Sequence, residues 1–268
     1  DHACDSHIHV YGPLDRYPPP AKAKYSIPDA RPEHLFALHD LVGISRAVVV
    51  NAAEASPDNQ RLFDVLRQYP HRLRGVATVP DDAPTDKQLE DWDNLGVRAV
   101  RFSYVGTQVD TLDERFIARI SELGWHVQIQ MENDQILELE SKLRRLPCDI
   151  AIDHMGRIPA AFGVMSEAFQ CLLTLVASGK AWVKLSAPMR FSNETEPPYS
   201  DVKPMAQALV NQNPDRILWG SDWPHVNYKG NTPRYEDLLK LLYEWFPDTN
   251  LCQKILSDNP QHLYAFTE

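Results

Sequence analysis

Short apolar runs rich in β-branched residues recur along the chain, and polar stretches with helical spacing separate them. The first is Asp5-Ser6-His7-Ile8-His9-Val10, closed by Gly12 and Pro13. It predicts a buried strand ending in a turn. Further strands are predicted over 46–51, 74–79, 97–102, 126–131, 149–154, 181–186 and 216–222. Helices are predicted over 32–43, 59–69, 85–95, 113–123, 134–145, 166–178, 201–212 and 235–246, with a short terminal helix near 260–265. Pro32 opens the first helix and Gly43 closes it, and Gly96, Gly124 and Gly179 close others. A Pro-rich loop over 14–31 carries Tyr17 and Tyr25; loops of that length are functional or disordered.

Eight strands alternating with eight helices predict an α/β protein, a single (β/α)8 TIM barrel in one domain over 1–268. The strands are nearly continuous in apolar residues, as parallel strands covered on both faces must be. An open doubly wound sheet is the alternative. It wants a Gly-x-Gly-x-x-Gly turn after an early strand, and the chain has none. No internal repeat or linker marks a second domain.

In a barrel, chemistry sits where strands end at the C-terminal face. By strand alternation His7 and His9 leave one face together. Two imidazoles there make a metal site, an acid/base pair or an electrophile; two hydrogen-bonded core histidines are the plainer alternative. Other strand ends supply Asn51, Arg101, Ser103, Gln130, Asp153, His154, Arg157, Ser186, Arg190, Asp222 and His225. Asp222, in Gly-Ser-Asp-Trp-Pro-His, is the candidate base: its carboxylate can take a proton from water and return it to a leaving group. A capping role is the alternative. Arg74 and Arg98 open their strands and read as structural.

The net charge of −10 disfavours nucleic acid and anionic membrane as partners. An acidic protein that handles an anion must therefore concentrate arginine locally. Arg101, Arg157 and Arg190 do so at one mouth, and guanidinium binds carboxylate in a two-point fork. Surface or structural ion pairs are the alternative for each alone. The four cysteines are widely spaced, which predicts buried free thiols rather than a disulfide framework. No transmembrane or signal pattern is seen, so cytoplasm is the expected location.

A binuclear metal centre would want a carboxylate or carboxylated lysine at strand four or five, and a histidine at the end of strand five. Arg101 and Gln130 stand there, and a guanidinium cannot ligate. A mononuclear zinc site on His7, His9 and Asp222, with His154 as a third imidazole, stays open. The expectation is that no metal is required and that the imidazoles hold the oxyanion.

Together these residues resemble the amidohydrolase superfamily, and more closely its "amidohydrolase 2" branch containing 2-pyrone-4,6-dicarboxylate lactonase. The carrying segments are Asp5–Pro13, Arg98–Phe102, Trp125–Val127, Ile152–Arg157 and Leu218–His225. The resemblance implies a barrel hydrolase that opens a lactone without a divalent metal. By it, Asp222 activates water and His7, His9 and His154 surround the scissile carbonyl. By it too, Arg101, Arg157, Arg190 and Tyr25 hold carboxylates; from their strand-end positions, apart from the resemblance, Gln130 and His225 are also expected in the binding set. Two departures stand out: Thr107 falls near a second family arginine, and Gln130 replaces a family tyrosine. A less charged or more hydroxylated lactone, such as a muconolactone or sugar-acid lactone, then suits the site better than the pyrone dicarboxylate. A zinc-dependent hydrolase or decarboxylase and a non-enzymatic organic-acid sensor are the competing readings.

Overall fold

The computed structural model describes residues 2–21, 23, 25–52, 58–80, 82–106 and 112–267. Eight parallel strands form one sheet in chain order. They are β1 (Ala3–Ile8), β2 (Ile44–Val50), β3 (Leu73–Thr78), β4 (Val97–Ser103), β5 (His126–Gln130), β6 (Ile150–Ile152), β7 (Ala181–Ser186) and β8 (Ile217–Gly220). Between and after them run α1 (Pro32–Val42), α2 (Gln60–Gln68), α3 (Asp86–Leu95), α4 (Glu114–Glu122), α5 (Gln135–Arg145), α6 (Glu167–Ala177), α7 (Lys203–Gln212) and α8 (Tyr235–Trp245). The predicted (β/α)8 barrel is the observed fold. Its seam lies between β1 and β8, where the Asp222 amide donates to the His7 carbonyl (2.9 Å) and the His9 amide to the Trp223 carbonyl (2.8 Å).

Local chemistry sets the element ends. Thr85 and Gln88 form a capping box on α3, and Asp113 and Ser166 cap α4 and α6. Gly43 and Gly96 take the left-handed conformation that ends α1 and α3, with φ of 79° and 98°.

The core has two layers. One lies between sheet and helices and includes Val49, Val97, Ile129, Leu172 and Leu209. The second fills the barrel with Val48, Val76, Ala99, Ala151, Trp182 and Leu218, joined by Tyr264 and Phe266 from the C-terminal segment. That segment covers the end where strands begin. Arg46 and Arg74 stack on Phe266, and Arg74 donates to the Ala265 carbonyl (3.3 Å). Arg98 bonds Asp93, so Arg74 and Arg98 are structural, as their positions predict.

β1 spans Ala3–Ile8 rather than 5–10, so His9 lies just past its end, and further boundaries differ from expectation. β6 ends at Ile152 and β8 at Gly220, because the residues after each turn into left-handed backbone. The terminal helix starts at Thr249, not 260. It runs through α9 (Thr249–Gln253), a π turn (Lys254–Asp258) and α10 (Asn259–Tyr264), with Pro260 at the start of α10, where proline is tolerated. All four cysteines are free. Among the described residues no helix is long and apolar enough to cross a membrane.

Candidate active site

The ends of β1, β6 and β8 bring Asp222 and three imidazoles together. Asp222 Oδ1 lies 3.4 Å from His9 Nε2 and 3.7 Å from both His7 Nε2 and His154 Nε2. All four side chains are buried. Their convergence requires Gly220: a Cβ there would lie 2.7 Å from the Cβ of His7, so only glycine lets β8 approach β1 this closely.

Strain at the end of β6 serves the same end. In a strand, Asp153 and His154 would face opposite sides. Instead His154, Met155 and Arg157 hold φ of 51°, 54° and 46°, at about 1–2 kcal/mol per non-glycine residue. Both side chains thereby point inward. His154 Nδ1 meets Ser186 Oγ at 2.8 Å, and Asp153 Oδ1 lies 3.2 Å from His7 Nδ1. Backbone strain of this kind gathers at functional sites.

Above this cluster opens a cavity of about 200 Å³. Its floor includes His9, His154 and Asp222; its walls include Tyr25, Arg101, Gln130, Arg157 and Arg190. Tyr25 comes from the long loop after β1, which packs Tyr11 and Ile27 near the mouth and is tied to α2 by the Tyr17 hydroxyl on Asp64. His7 and His225 depart from this pattern: both are buried and neither is among the residues lining the cavity. The His225 amide closes a turn onto the Asp222 carbonyl (2.8 Å) and braces Asp222 from behind. Thr107 lies outside the described residues. Gln130 accepts a hydrogen bond from Ser103 Oγ (2.9 Å) beside the cavity.

Two of the cavity's arginines pair with buried carboxylates. Arg190 places Nε 2.7 Å from Asp222 Oδ2, and Arg101 Nε donates to Asp153 Oδ2 at 3.0 Å. Lys184, from the middle of β7, was not among the residues singled out in the sequence. It is wholly buried, with Nζ 2.7 Å from Gln128 Oε1 and 3.3 Å from His7 Nδ1. The signal was there: alternation places Lys184 with Ser186 inside the barrel, and Gln128 with Gln130.

The charge states follow from these neighbours. Burial alone would raise the Asp222 carboxyl, but Arg190 and then His154 outweigh it and hold it well below the usual carboxylate range. Burial likewise opposes ionisation of Asp153, and the neighbouring His7 ring, Lys184 ammonium and Arg101 guanidinium outweigh it and hold the carboxyl well below its usual range. Burial drives the His7 ring down to about 4, His126 to about 3, and His154 well below its ordinary value. It pushes the Lys184 ammonium down to about 8, with Asp153 resisting.

A stability prediction follows. The His7, His126 and His154 rings are neutral in the fold, while in the unfolded chain they take up protons below about pH 6.5. The unfolded state then binds more protons, so stability falls as pH falls. The melting midpoint is expected to drop steadily from about pH 6.5 to about pH 4. A midpoint that stays flat over that window would contradict the neutral-ring assignment.

Ligand atoms of His7, His9 and Asp222 lie within 4.8 Å of one another, as do those of His7, Asp153 and His154. Donor type alone fits a metal, but the surroundings do not. Asp222 Oδ2 is already engaged by a guanidinium, and Arg101 and Lys184 add positive charge beside His7 and Asp153. His7 Nδ1 meets both the Lys184 ammonium (3.3 Å) and the Asp153 carboxylate (3.2 Å).

Comparison with known proteins identifies the family. A family model described as Amidohydrolase matches residues 4–266. A 2-pyrone-4,6-dicarboxylate hydrolase from Comamonas testosteroni is 38% identical, over 98% of this chain and 90% of its own length. A 4-sulfomuconolactone hydrolase from Rhizobium radiobacter is 36% identical, over 98% of this chain and 90% of its own. A solved structure from Pseudomonas putida, proposed to be a 2-pyrone-4,6-dicarboxylic acid hydrolase, superimposes with a TM-score of 0.88. It is 30% identical and covers 100% of this chain and 98% of its own. With the match running through all eight strands, and the histidines and aspartate gathered at the strand tips, the chain belongs to the amidohydrolase family.

Proposed function

We propose that this chain hydrolyses a small carboxylated lactone with water activated by Asp222. The observation that carries the reading is the setting of Asp222. Its Oδ1 has three imidazole nitrogens at 3.4–3.7 Å, at the floor of a cavity walled by three arginines. In the reaction, Asp222 takes one proton from water as the water oxygen bonds to the lactone carbonyl carbon. Charge develops on the carbonyl oxygen, and His7 and His154 donate to it. The ring C–O bond then breaks, and Asp222 returns its proton to the leaving alkoxide. The products are one hydroxyl and one new carboxylic acid, which releases the second water-derived proton to solvent and becomes a carboxylate.

His9 has a separate task. Its Nδ1 lies 2.8 Å from the Val50 carbonyl, which only accepts, so Nδ1 carries the proton. In the neutral ring Nε2 then faces Asp222 as a lone pair and can help hold the proton in transit. Arg101, Arg157 and Arg190 orient the substrate carboxylate. Tyr25 and the Ser103–Gln130 pair suit a hydroxylated or singly charged lactone, such as a muconolactone or a sugar-acid lactone. The relatives' lactone substrates support ring opening over zinc-dependent hydrolysis or decarboxylation.

Acid release across a panel of carboxylated lactones, each with its methyl ester as control, tests this reading. Turnover of the free acids and not of the esters is expected; binding without turnover across the panel would favour a sensor. Arg157→Met is expected to raise KM with little loss of kcat. One charged hydrogen bond contributes about 1.5–3 kcal/mol, roughly 10- to 150-fold. A KM within twofold of the parent would remove Arg157 from the binding set.

A further inference from the structure

We propose that Lys184 holds His7 in the tautomer protonated at Nε2, and so sets the site to donate to a carbonyl rather than to ligate a metal. The inference rests on the reading of His7 as a carbonyl donor, and it identifies the residue that makes it one.

Two groups compete for His7 Nδ1. Lys184 Nζ lies 3.3 Å away, and an ammonium only donates. Asp153 Oδ1 lies 3.2 Å away, and a carboxylate only accepts. If lysine wins, Nδ1 accepts and the ring proton sits on Nε2. If aspartate wins, the proton sits on Nδ1 and Nε2 becomes a ligand lone pair, the arrangement that metal-bound histidines use.

The surroundings favour lysine. Asp153 Oδ2 takes Arg101 Nε (3.0 Å) and Gln128 Nε2 (3.1 Å), while Oδ1 has no aligned hydrogen-bond partner among the described residues. Gln128 is fixed by donating to Asp153, so its carbonyl oxygen faces Lys184 Nζ at 2.7 Å and aims the ammonium. His7 Nε2 likewise has no aligned partner among the described residues, and it points toward Asp222 Oδ1. A substrate carbonyl oxygen would complete it. His7 and His9 thus sit in opposite tautomers, the first giving a proton and the second receiving one. Lys184 never meets the substrate and acts as a positioning residue.

The wild-type protein tests this directly. Nitrogen-15 NMR of the labelled chain reads which ring nitrogen carries the proton, with His7 assigned by its absence in His7→Gln. A proton on Nε2 is expected; a proton on Nδ1 would overturn the proposal. Lys184→Met then serves as the second test, with circular dichroism to establish that the variant folds. His7 is expected to switch to Nδ1–H toward Asp153, and kcat to fall about 100-fold with KM little changed. Zinc alone, titrated by calorimetry, is expected to bind roughly tenfold tighter than to the parent. A variant that keeps the parent tautomer and zinc affinity would also overturn it. Failure of the lactone reading looks different: no lactone turns over, yet the His7 proton is on Nε2.

Discussion

Asp222→Asn is expected to abolish turnover and leave the fold intact. An asparagine amide keeps the shape of the side chain but cannot take a proton from water. Loss of a positioned base lowers kcat by roughly 10²–10⁴-fold. The backbone around the position does not depend on the carboxylate. The Asp222 amide donates to the His7 carbonyl, and its own carbonyl accepts from the His225 amide. Arg190 loses its ionic partner but keeps the Val226 carbonyl at 2.9 Å. Acid release and a thermal melt on the same preparation check both halves. Full activity in a folded Asp222→Asn protein would end the proposal that this carboxylate is the base.

Asp5→Ala is expected to have the largest effect on stability. Asp5 is wholly buried and joins three elements at the barrel seam. Oδ1 accepts from the Ser221 amide (2.9 Å) and the His7 amide (3.2 Å), and Oδ2 accepts from the Tyr235 hydroxyl (2.8 Å). Burial opposes its charge, but His39 and the Ser221 bonds outweigh that and hold the carboxyl below its usual range. Alanine leaves these donors buried and unpaired. Removing one member of such a buried network costs about 3–5 kcal/mol, which lowers the melting midpoint by roughly 10 °C or more. The variant is also expected to lose activity, because Asp5 fixes the amides of His7 and of Ser221, the residue before Asp222. A midpoint within 2–3 °C of the parent, roughly 1 kcal/mol, would show the seam to be held by other contacts.

Much of this architecture could be read from the chain because its signals are local. Continuous β-branched runs such as Val48–Val50 mark strands covered on both faces, and Gly43 and Gly96 end helices where only left-handed backbone fits. Apolar periodicity carries no information about left-handed turns in non-glycine residues. The expected sixth strand therefore ran on to His154, and the eighth to Asp222. Those two turns are where the site departs from regular structure in order to aim Asp153, His154 and Asp222. Pro260 read as the start of a short helix because the π turn ahead of it has no sequence period.

The site residues divide in the same way. His7, His9, His154 and Asp222 were visible because polar residues at barrel strand ends have few other purposes. Lys184 and Gln128 stand in mid-strand, where a polar residue is expected to be an exposed face or an irregularity. Their role depends on partners from β1 and the β6 turn that no local pattern joins. Arg101 shows the limit from the other side. Its inward direction was legible, yet its bond to Asp153 depends on the strained turn after β6.

The most direct measurement of the central claim is ring opening of the best lactone substrate in ¹⁸O-labelled water, read by mass spectrometry. If Asp222-activated water attacks the carbonyl carbon, single turnover places one ¹⁸O in the newly formed carboxylate and none in the released hydroxyl. Label in the hydroxyl, or a rearranged product without label, would contradict the account.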